Sequence, residues 1–462
     1  MPPLPLTALL QTALPRMSLA SRAVISALGC LNGKPPYAGE IAAWVGLRDR
    51  FQLARALRRD GLPPLEQLAG WARVLYWVLT AEATGTTLRQ LARGDDMDPA
   101  VAYRLVNRLT GQHWSEVRRT GLPGLLPRFH EHCRIHAPSP PTDLVDTGMT
   151  PLGLLPATAY GQHLPVAPLR PAHHPRGFLV ERHPFSGWPF DIAVTGGGTA
   201  FVTRTRSSTV DAFRIEPFQW IGSVPTSPTP TCVTIGARGA HAYVTNQFAD
   251  EVGIISISGL RQTGAIPVMG NPLGITRSPD GRALYVTTNH DRLCAISVAS
   301  AKVIGSVPLP LTGVHITTDP TGRRVYVPCW RAGVIVEIEA QTLKPLRQFE
   351  VGGTAQDVAI SSDGRRMYVV NENGWLNVIH LGSGLIRTIP IDGAPCSLSL
   401  TPDDAVLYIG LVFEGCVLTM DAHSLQITGR LETGGKPRRI AFAPSGKTAV
   451  IANELGWIDV VH

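Results

Sequence analysis

The sequence has few cysteines, and their spacing fits neither a metal site nor a set of disulfides. Seven cysteines are scattered from Cys30 to Cys416, without a C-x-x-C pair. Zinc sites and disulfide frameworks use closely spaced or paired cysteines, so the pattern argues against both. We therefore expect no metal site and no cofactor.

Long apolar runs are missing as well. No stretch approaches the ~18 uncharged apolar residues that a membrane-spanning helix needs, which argues against an integral membrane protein. The first 14 residues are apolar, but prolines interrupt them and they contain no basic residue, which argues against a secretory signal. From these absences we expect a cytoplasmic protein without a membrane partner.

Charge is sparse and unevenly distributed. Charged residues make up 17% of the sequence and apolar residues 44%, a balance typical of a folded protein. The length of 462 residues indicates two or more domains. Residues 1–135 hold 17 of the 42 basic residues and only 10 of the 35 acidic ones. The formal charge of +7 therefore lies in the first third, which makes that third a candidate for binding phosphate backbones.

Three compositional zones divide the chain. A zone rich in Leu, Ala and Arg with helical spacing is followed by a stretch with nine prolines, and the remainder is strand-like with regular turns. We predict a helical domain at 1–135, an extended linker at 136–176 and a β domain at 177–462.

The β domain repeats with a period of about 42 residues, which indicates a propeller. Most periods contain a tight turn such as Ser278-Pro279-Asp280-Gly281, in which glycine adopts a positive φ, followed by an aromatic or apolar anchor. Each period supplies four strands, which is one blade. The seven anchors are Phe201, Tyr243, Tyr285, Tyr326, Tyr368, Tyr408 and Val450.

Seven anchors predict a seven-bladed β-propeller whose last blade lacks one strand. The segment 177–181 precedes the first repeat, where a missing outer strand would fall, so we expect it to close the ring and remove the free sheet edges. Residues 243–246 (Y-V-T-N), echoed at 285–289 and 368–371, resemble the YVTN family of β-propeller repeats. That resemblance implies the fold but no particular function.

The helical domain contains a duplicated unit. Between residues 38 and 120 the sequence matches itself at an offset of 50, which pairs Ala42 with Ala92 and Leu53 with Tyr103. Each copy predicts a short helix, a turn and a longer helix, which is the helix-turn-helix pattern. An amphipathic helix predicted from Leu65 to Leu79 joins the copies. The predicted pairs are Glu40–Val45 with Asp49–Arg59, and Leu88–Arg93 with Pro99–Leu109.

This arrangement resembles the DNA-binding region of AraC-type transcription regulators. The residues that carry the match are 41–47 (I-A-A-W-V-G-L), 53–64 (L-A-R-A-L-R-R-D-G-L-P-P) and 88–111. The resemblance implies two helix-turn-helix units that reach successive major grooves of double-stranded DNA.

Side chains on the two longer helices suit that role. Guanidinium, amide and phenol groups bind phosphates and base edges in the major groove. The alternative interpretation is an Arg-rich, solvated face on an ordinary helical bundle. The predicted DNA-binding residues are Arg48, Arg50, Gln52, Arg55, Arg58, Arg59, Tyr103, Arg104, Asn107 and Arg108.

The central channel of the propeller supplies a second candidate site. Because side chains alternate along a strand, the residue before the apolar position of each inner strand should face the channel. Around the ring these residues are Asp191, Cys232, Gly274, His315, Asp357, Ser397 and Arg439. Asp191, His315, Asp357 and Arg439 could bind a small polar ligand, or water and neighbours could satisfy them.

We interpret the chain as a DNA-binding transcriptional regulator without enzymatic activity, whose propeller senses a small polar ligand or docks a protein. One alternative is a scaffold protein whose helical domain does not bind DNA. The other is a lactonase-like hydrolase, although the sequence has no Ser-His-Asp order, H-E-x-x-H motif or Gly-rich phosphate loop.

Overall fold

The computed structural model describes residues 10, 17–30, 33, 38–45, 47, 49–95, 97–133, 180–311, 313–330 and 332–462. The chain divides into two compact units, 1–163 and 164–462. The predicted linker at 136–176 lies outside the described residues, so its bounds stay a prediction. None of the helices among the described residues combines the length and apolarity that a membrane crossing requires.

The first unit is helical, and aspartate side chains cap the N-termini of two of its helices. Asp49 accepts hydrogen bonds from the backbone N–H of Phe51 and Gln52, and Asp98 accepts from Ala100 and Val101. The described helices are α1 (Leu19–Cys30), α2 (Ala38–Trp44), α3 (Arg50–Arg59), α4 (Leu65–Thr84), α5 (Leu88–Gly94), α6 (Pro99–Thr110) and α7 (Trp114–His132).

Helix α4 forms the core of this unit. The sequence predicts an amphipathic helix here, but α1, α5, α6 and α7 all contact α4, so it is buried on most of its circumference. Trp71 and Trp77 on α4 are completely buried. Helix α7 kinks at Gly121, whose φ of 59° requires glycine, and Glu82 of α4 accepts a hydrogen bond from the Leu122 N–H at the kink.

The second unit is a seven-bladed β-propeller, as the anchors predict. Each blade is a four-stranded antiparallel sheet. The strands in chain order are β1 (Val180–Pro184), β2 (Pro189–Val194), β3 (Thr199–Arg204), β4 (Thr209–Arg214), β5 (Gln219–Pro225), β6 (Pro230–Ile235), β7 (His241–Asn246), β8 (Glu251–Ser256), β9 (Arg261–Pro267), β10 (Pro272–Arg277), β11 (Ala283–Thr288), β12 (Arg292–Ser297), β13 (Lys302–Pro308), β14 (Thr317–Thr318), β15 (Arg324–Cys329), β16 (Val334–Glu339), β17 (Pro345–Glu350), β18 (Ala355–Ile360), β19 (Arg366–Asn371), β20 (Trp375–His380), β21 (Ile386–Pro390), β22 (Pro395–Leu400), β23 (Val406–Leu411), β24 (Cys416–Asp421), β25 (Ile427–Glu432), β26 (Pro437–Phe442), β27 (Ala449–Asn453) and β28 (Trp457–Val461).

The apolar cores of the propeller lie between blades. Each of the hydrophobic clusters in this unit combines residues of neighbouring blades. The repeated tyrosines contribute polar links as well. The Tyr285 hydroxyl donates to the Ala340 carbonyl at 3.1 Å, and the Tyr368 hydroxyl donates to the Ala422 carbonyl at 3.2 Å, each in the next blade. The anchors therefore recur because every blade must pack on its neighbour.

The threonine of the Y-V-T segments also links blades. Thr245 accepts a hydrogen bond from the Cys232 N–H at 2.9 Å and donates to the Leu273 carbonyl in the next blade at 2.7 Å. Thr203 and Thr287 make the same two contacts, accepting from a backbone N–H of their own blade and donating to a carbonyl before or on the inner strand of the next blade. A buried hydroxyl therefore satisfies backbone groups of two neighbouring blades at once.

The N-terminal strand of the propeller closes the ring. Strand β1 pairs with β28 in a sheet of order β1-β28-β27-β26, which confirms the predicted closure. The pairing strand is Val180–Pro184, further along than the predicted segment, whose residues 177–179 lie outside the described residues. Across this seam, Arg182 donates to both carboxylate oxygens of Asp459, at 2.6 and 3.0 Å.

Replacing Arg182 by methionine should destabilise the ring, because Asp459 is fully buried and would lose its cationic partner. We expect R182M to lower the free energy of unfolding by about 3–5 kcal/mol. Chemical denaturation of the full chain measures this loss.

The matched control is R430M, because Arg430 and Glu432 form an equally short but half-exposed pair. It should change stability by less than about 1 kcal/mol. The double variant R182M/D459N should recover part of the loss. Equal effects of R182M and R430M would show that the seam does not depend on this ion pair.

Candidate functional site

The two longer helices of the helical unit bury one face and expose the other. On α3 the buried residues are Leu53, Ala56 and Leu57. On α6 they include Ala102 and Val106. The structure leaves the predicted DNA-binding side chains outside this buried face. Arg50, Arg55, Arg58, Arg59, Tyr103, Arg104, Asn107 and Arg108 are exposed, Gln52 is half-buried, and Arg48 lies outside the described residues.

A short helix followed by a longer one occurs twice, as α2–α3 and α5–α6, but the offset of 50 is wrong within the longer helices. Leu53 is buried whereas Tyr103 is 47% exposed, so these two residues are not equivalent. The N-caps Asp49 and Asp98 pair at an offset of 49, which matches Leu53 to the buried Ala102. Helix α6 has 12 residues against 10 in α3, and its longer last turn restores the offset of 50 at the glycines that follow.

The corrected offset defines which surface positions correspond. Arg55 matches Arg104 and Arg59 matches Arg108, so a guanidinium recurs at the same two places on each helix. Arg58 matches Asn107, so the third position differs in charge between the units. The repeat therefore gives α3 and α6 related outer surfaces that differ in charge.

The described acidic residues beside α6 have partners within the helical unit. Asp98 caps the helix, and Asp95 accepts a hydrogen bond from the Trp77 indole N–H at 2.9 Å. Asp95 also lies 4.0 Å from Arg73, and its side chain is only 8% exposed. These two carboxylates therefore stabilise the helical unit rather than covering the outer face of α6. Asp96 lies outside the described residues.

One exposed aromatic residue on α3 is not among the residues predicted from the sequence. Phe51 is 62% exposed, and the Arg50 guanidinium stacks over its ring at 5.0 Å. An exposed apolar group between arginines can contact a thymine methyl group in the major groove.

The arginines of α3 differ in their ion pairs. Arg59 lies 3.6 Å from Asp60, whereas Arg55 and Arg58 form no ion pair within the part of the chain that the structure describes.

The propeller channel brings together the charged residues predicted for it. Arg439 lies 3.1 Å from Asp191 and also donates to Asp357, so one guanidinium contacts carboxylates of two other blades. Each carboxylate also accepts a hydrogen bond from the next blade. The Val233 N–H donates to Asp191 at 2.8 Å, and the Leu398 N–H donates to Asp357 at 2.9 Å.

Burial sets the protonation of the channel groups. It raises the pKa of Asp191, although the Arg439 charge opposes the shift. Burial alone would lower the pKa of Arg439, but the neighbouring carboxylates of Asp357 and Asp191 raise it above the ordinary value. Burial and the nearby Arg439 charge lower the pKa of His315 to about 3. His315 is therefore neutral at physiological pH.

Both channel carboxylates have partners in neighbouring blades. Asp191 and Asp357 each accept backbone hydrogen bonds and share the Arg439 guanidinium. Ligand binding by Asp191, His315, Asp357 and Arg439 stays a prediction. No group of three or more His, Cys, Asp or Glu residues suited to a metal ion occurs within the described ranges.

His315 should make the protein less stable in acid. Unfolded histidine titrates near pH 6.5, but the buried His315 takes up a proton only at about pH 3. Between these values the unfolded chain holds the extra proton, so this contribution to stability declines as pH falls through that range. The slope is at most about 1.4 kcal/mol per pH unit. We expect H315N to remove this slope in urea unfolding measured from pH 7.5 to 4.5.

The exposed His423 provides the control, since H423N removes a histidine from the same unit without changing a buried group. The raised pKa of Asp191 acts in the opposite direction, so the measured quantity is the difference between variant and parent. Parallel stability curves for H315N and the parent protein would contradict the assignment of His315 as a buried neutral group.

Comparison with known proteins supports the propeller fold but no particular family or function. No protein-family model and no curated protein matches the chain. Among solved structures, the chain is similar to a chain of Kuenenia stuttgartiensis hydrazine synthase, with 20% identity and a TM-score of 0.55 over 59% of this chain and 94% of that chain. A likeness at this identity shows the fold alone, and the propeller fold is compatible with catalysis as well as with binding.

Proposed function

We propose that this chain is a DNA-binding transcriptional regulator, in which the helical unit binds double-stranded DNA through two helix-turn-helix modules. The observation that carries the proposal is the repeated exposure of cationic side chains on α3 and α6. Each of these helices follows a short helix, buries its apolar face and presents guanidiniums at matching positions.

The central helix α4 gives the two modules a common support. It lies between them in sequence, α5 and α6 of the second module contact it directly, and α1 contacts both α4 and the two helices of the first module. A fixed spacing is what reading two successive major grooves requires. The same arrangement supports the resemblance to AraC-type regulators that the sequence displays.

The propeller would then sense or dock a partner of the regulator. Its channel is lined by Arg439, which already forms ion pairs with Asp191 and Asp357. A charged ligand bound there would have to replace a buried ion pair. This cost favours protein docking on the outer faces of the propeller over a charged effector in the channel.

Removing Arg55 and Arg58 should weaken DNA binding. Both side chains are exposed on α3, so their loss should not disturb the core. We expect the variant R55A/R58A to lose roughly 1–3 kcal/mol of binding free energy for each arginine that pairs with a guanine. Fluorescence anisotropy with preferred duplexes, selected first from a random pool by the parent protein, measures the loss.

The matched control is R238A/R323A, which removes the same charge from exposed positions on the propeller. Binding by the parent protein should fall steeply with salt, because phosphate contacts release counterions. A slope near zero, or equal affinities for R55A/R58A and the control, would reject DNA binding through α3 and leave a scaffold role.

A further inference from the structure

A cavity lies between α4 and α6 in the helical unit. It has a volume of about 670 Å³ and is open to solvent on one side. Helix α4 lines it with Glu66, Ala69 and Arg73, and helix α6 contributes Val101, Arg104 and Arg108. This volume lies within the range of small-molecule sites in proteins.

The cavity collects more positive than negative charge. Among the described residues that line it, three are arginines and Glu66 alone is acidic. Glu66 lies in the first turn of α4, where the positive end of the helix dipole stabilises a carboxylate. Even with Asp95 counted as the partner of Arg73, one positive charge remains in excess.

Arg73 is the unusual member of the set. It stands on an otherwise apolar stretch of α4, and its side chain is only 18% exposed. Asp95 lies 4.0 Å away and also binds Trp77, while the buried Nε of Arg73 has no hydrogen-bond partner among the described residues. A buried donor of this kind is costly unless a partner binds it.

The remaining wall is apolar. Ala69, Met97, Val101 and Leu105 line the cavity beside the arginines. A ligand that suits these surroundings combines one anionic group with an apolar body. The anionic group would bind the guanidiniums, and the body would cover the aliphatic side chains.

We propose that this cavity binds a small organic monoanion with an aromatic or aliphatic body. Arg73, Arg104 and Arg108 bind the carboxylate, sulfonate or phosphate ester, and Val101 and Leu105 contact the apolar part. The cavity shares Arg104 and Arg108 with the α6 surface proposed to bind DNA, whereas Arg55 and Arg58 of α3 do not line it.

The probe for this site is 8-anilinonaphthalene-1-sulfonate, a monoanion with an aromatic body. We expect saturable binding to the full-length protein in isothermal titration calorimetry. V101W fills the cavity from an exposed position and should weaken binding at least tenfold. A100W, which places the same side chain one residue away on α6 and outside the cavity, should bind as the parent protein does.

Charge variants test the anionic half of the proposal. R104Q/R108Q should weaken binding at least tenfold, whereas R55Q/R58Q removes the same charge from α3 and should leave it unchanged. R73Q should weaken binding too, and the R104Q/R108Q pair keeps the test valid if R73Q fails to fold. Circular dichroism and Tm confirm folding for each variant.

Three results would overturn the proposal. One is equal binding by V101W and A100W, which would place the probe elsewhere. Another is equal weakening by R104Q/R108Q and R55Q/R58Q, which would indicate nonspecific attraction. The third is equally tight binding of uncharged N-phenyl-1-naphthylamine, which would leave an apolar cavity without selectivity for an anion.

Discussion

A propeller blade cannot bury its own two faces, and this constraint shapes the whole second unit. Each four-stranded sheet exposes apolar side chains on both sides until a neighbour covers them, so the cores form between blades. Such an arrangement is complete only when the last blade meets the first. Pairing of β1 with β28 supplies that closure, and the buried Arg182–Asp459 pair makes the seam specific.

The same constraint explains why so much of the propeller was predictable from sequence. The anchors, the glycine turns and the apolar inner-strand positions all serve blade packing, so they recur with the blade period. Channel positions such as Asp191, Asp357 and Arg439 follow from strand alternation alone. Their pairing did not, because it depends on distances between blades far apart in sequence, and no periodicity encodes those distances.

The helical unit was less predictable, for a related reason. The five helices with predicted bounds lie within a few residues of those bounds, apart from the C-terminal extension of α4 to Thr84, whereas α1 and α7 had no predicted bounds. The offset between the two copies, in contrast, is not constant, because α6 has an extra residue near its end. Only the burial of Leu53 and the exposure of Tyr103 reveal this. Arg73 gave one signal, a single charge in the apolar stretch from Leu68 to Leu79, but its cavity arises from the packing of α4 against α6.

The uneven charge of the chain now has a structural explanation. In the propeller, many arginines bind carboxylates of the same unit: Arg204 contacts Asp211 at 2.7 Å and Arg438 contacts Glu454 at 3.3 Å, besides the channel pairs. The propeller therefore uses its cations for its own stability. On α3, Arg55 and Arg58 have no such partners within the described residues. Because residues 136–462 carry as many basic as acidic residues, the net positive charge that would attract a polyanion at long range belongs to the helical unit.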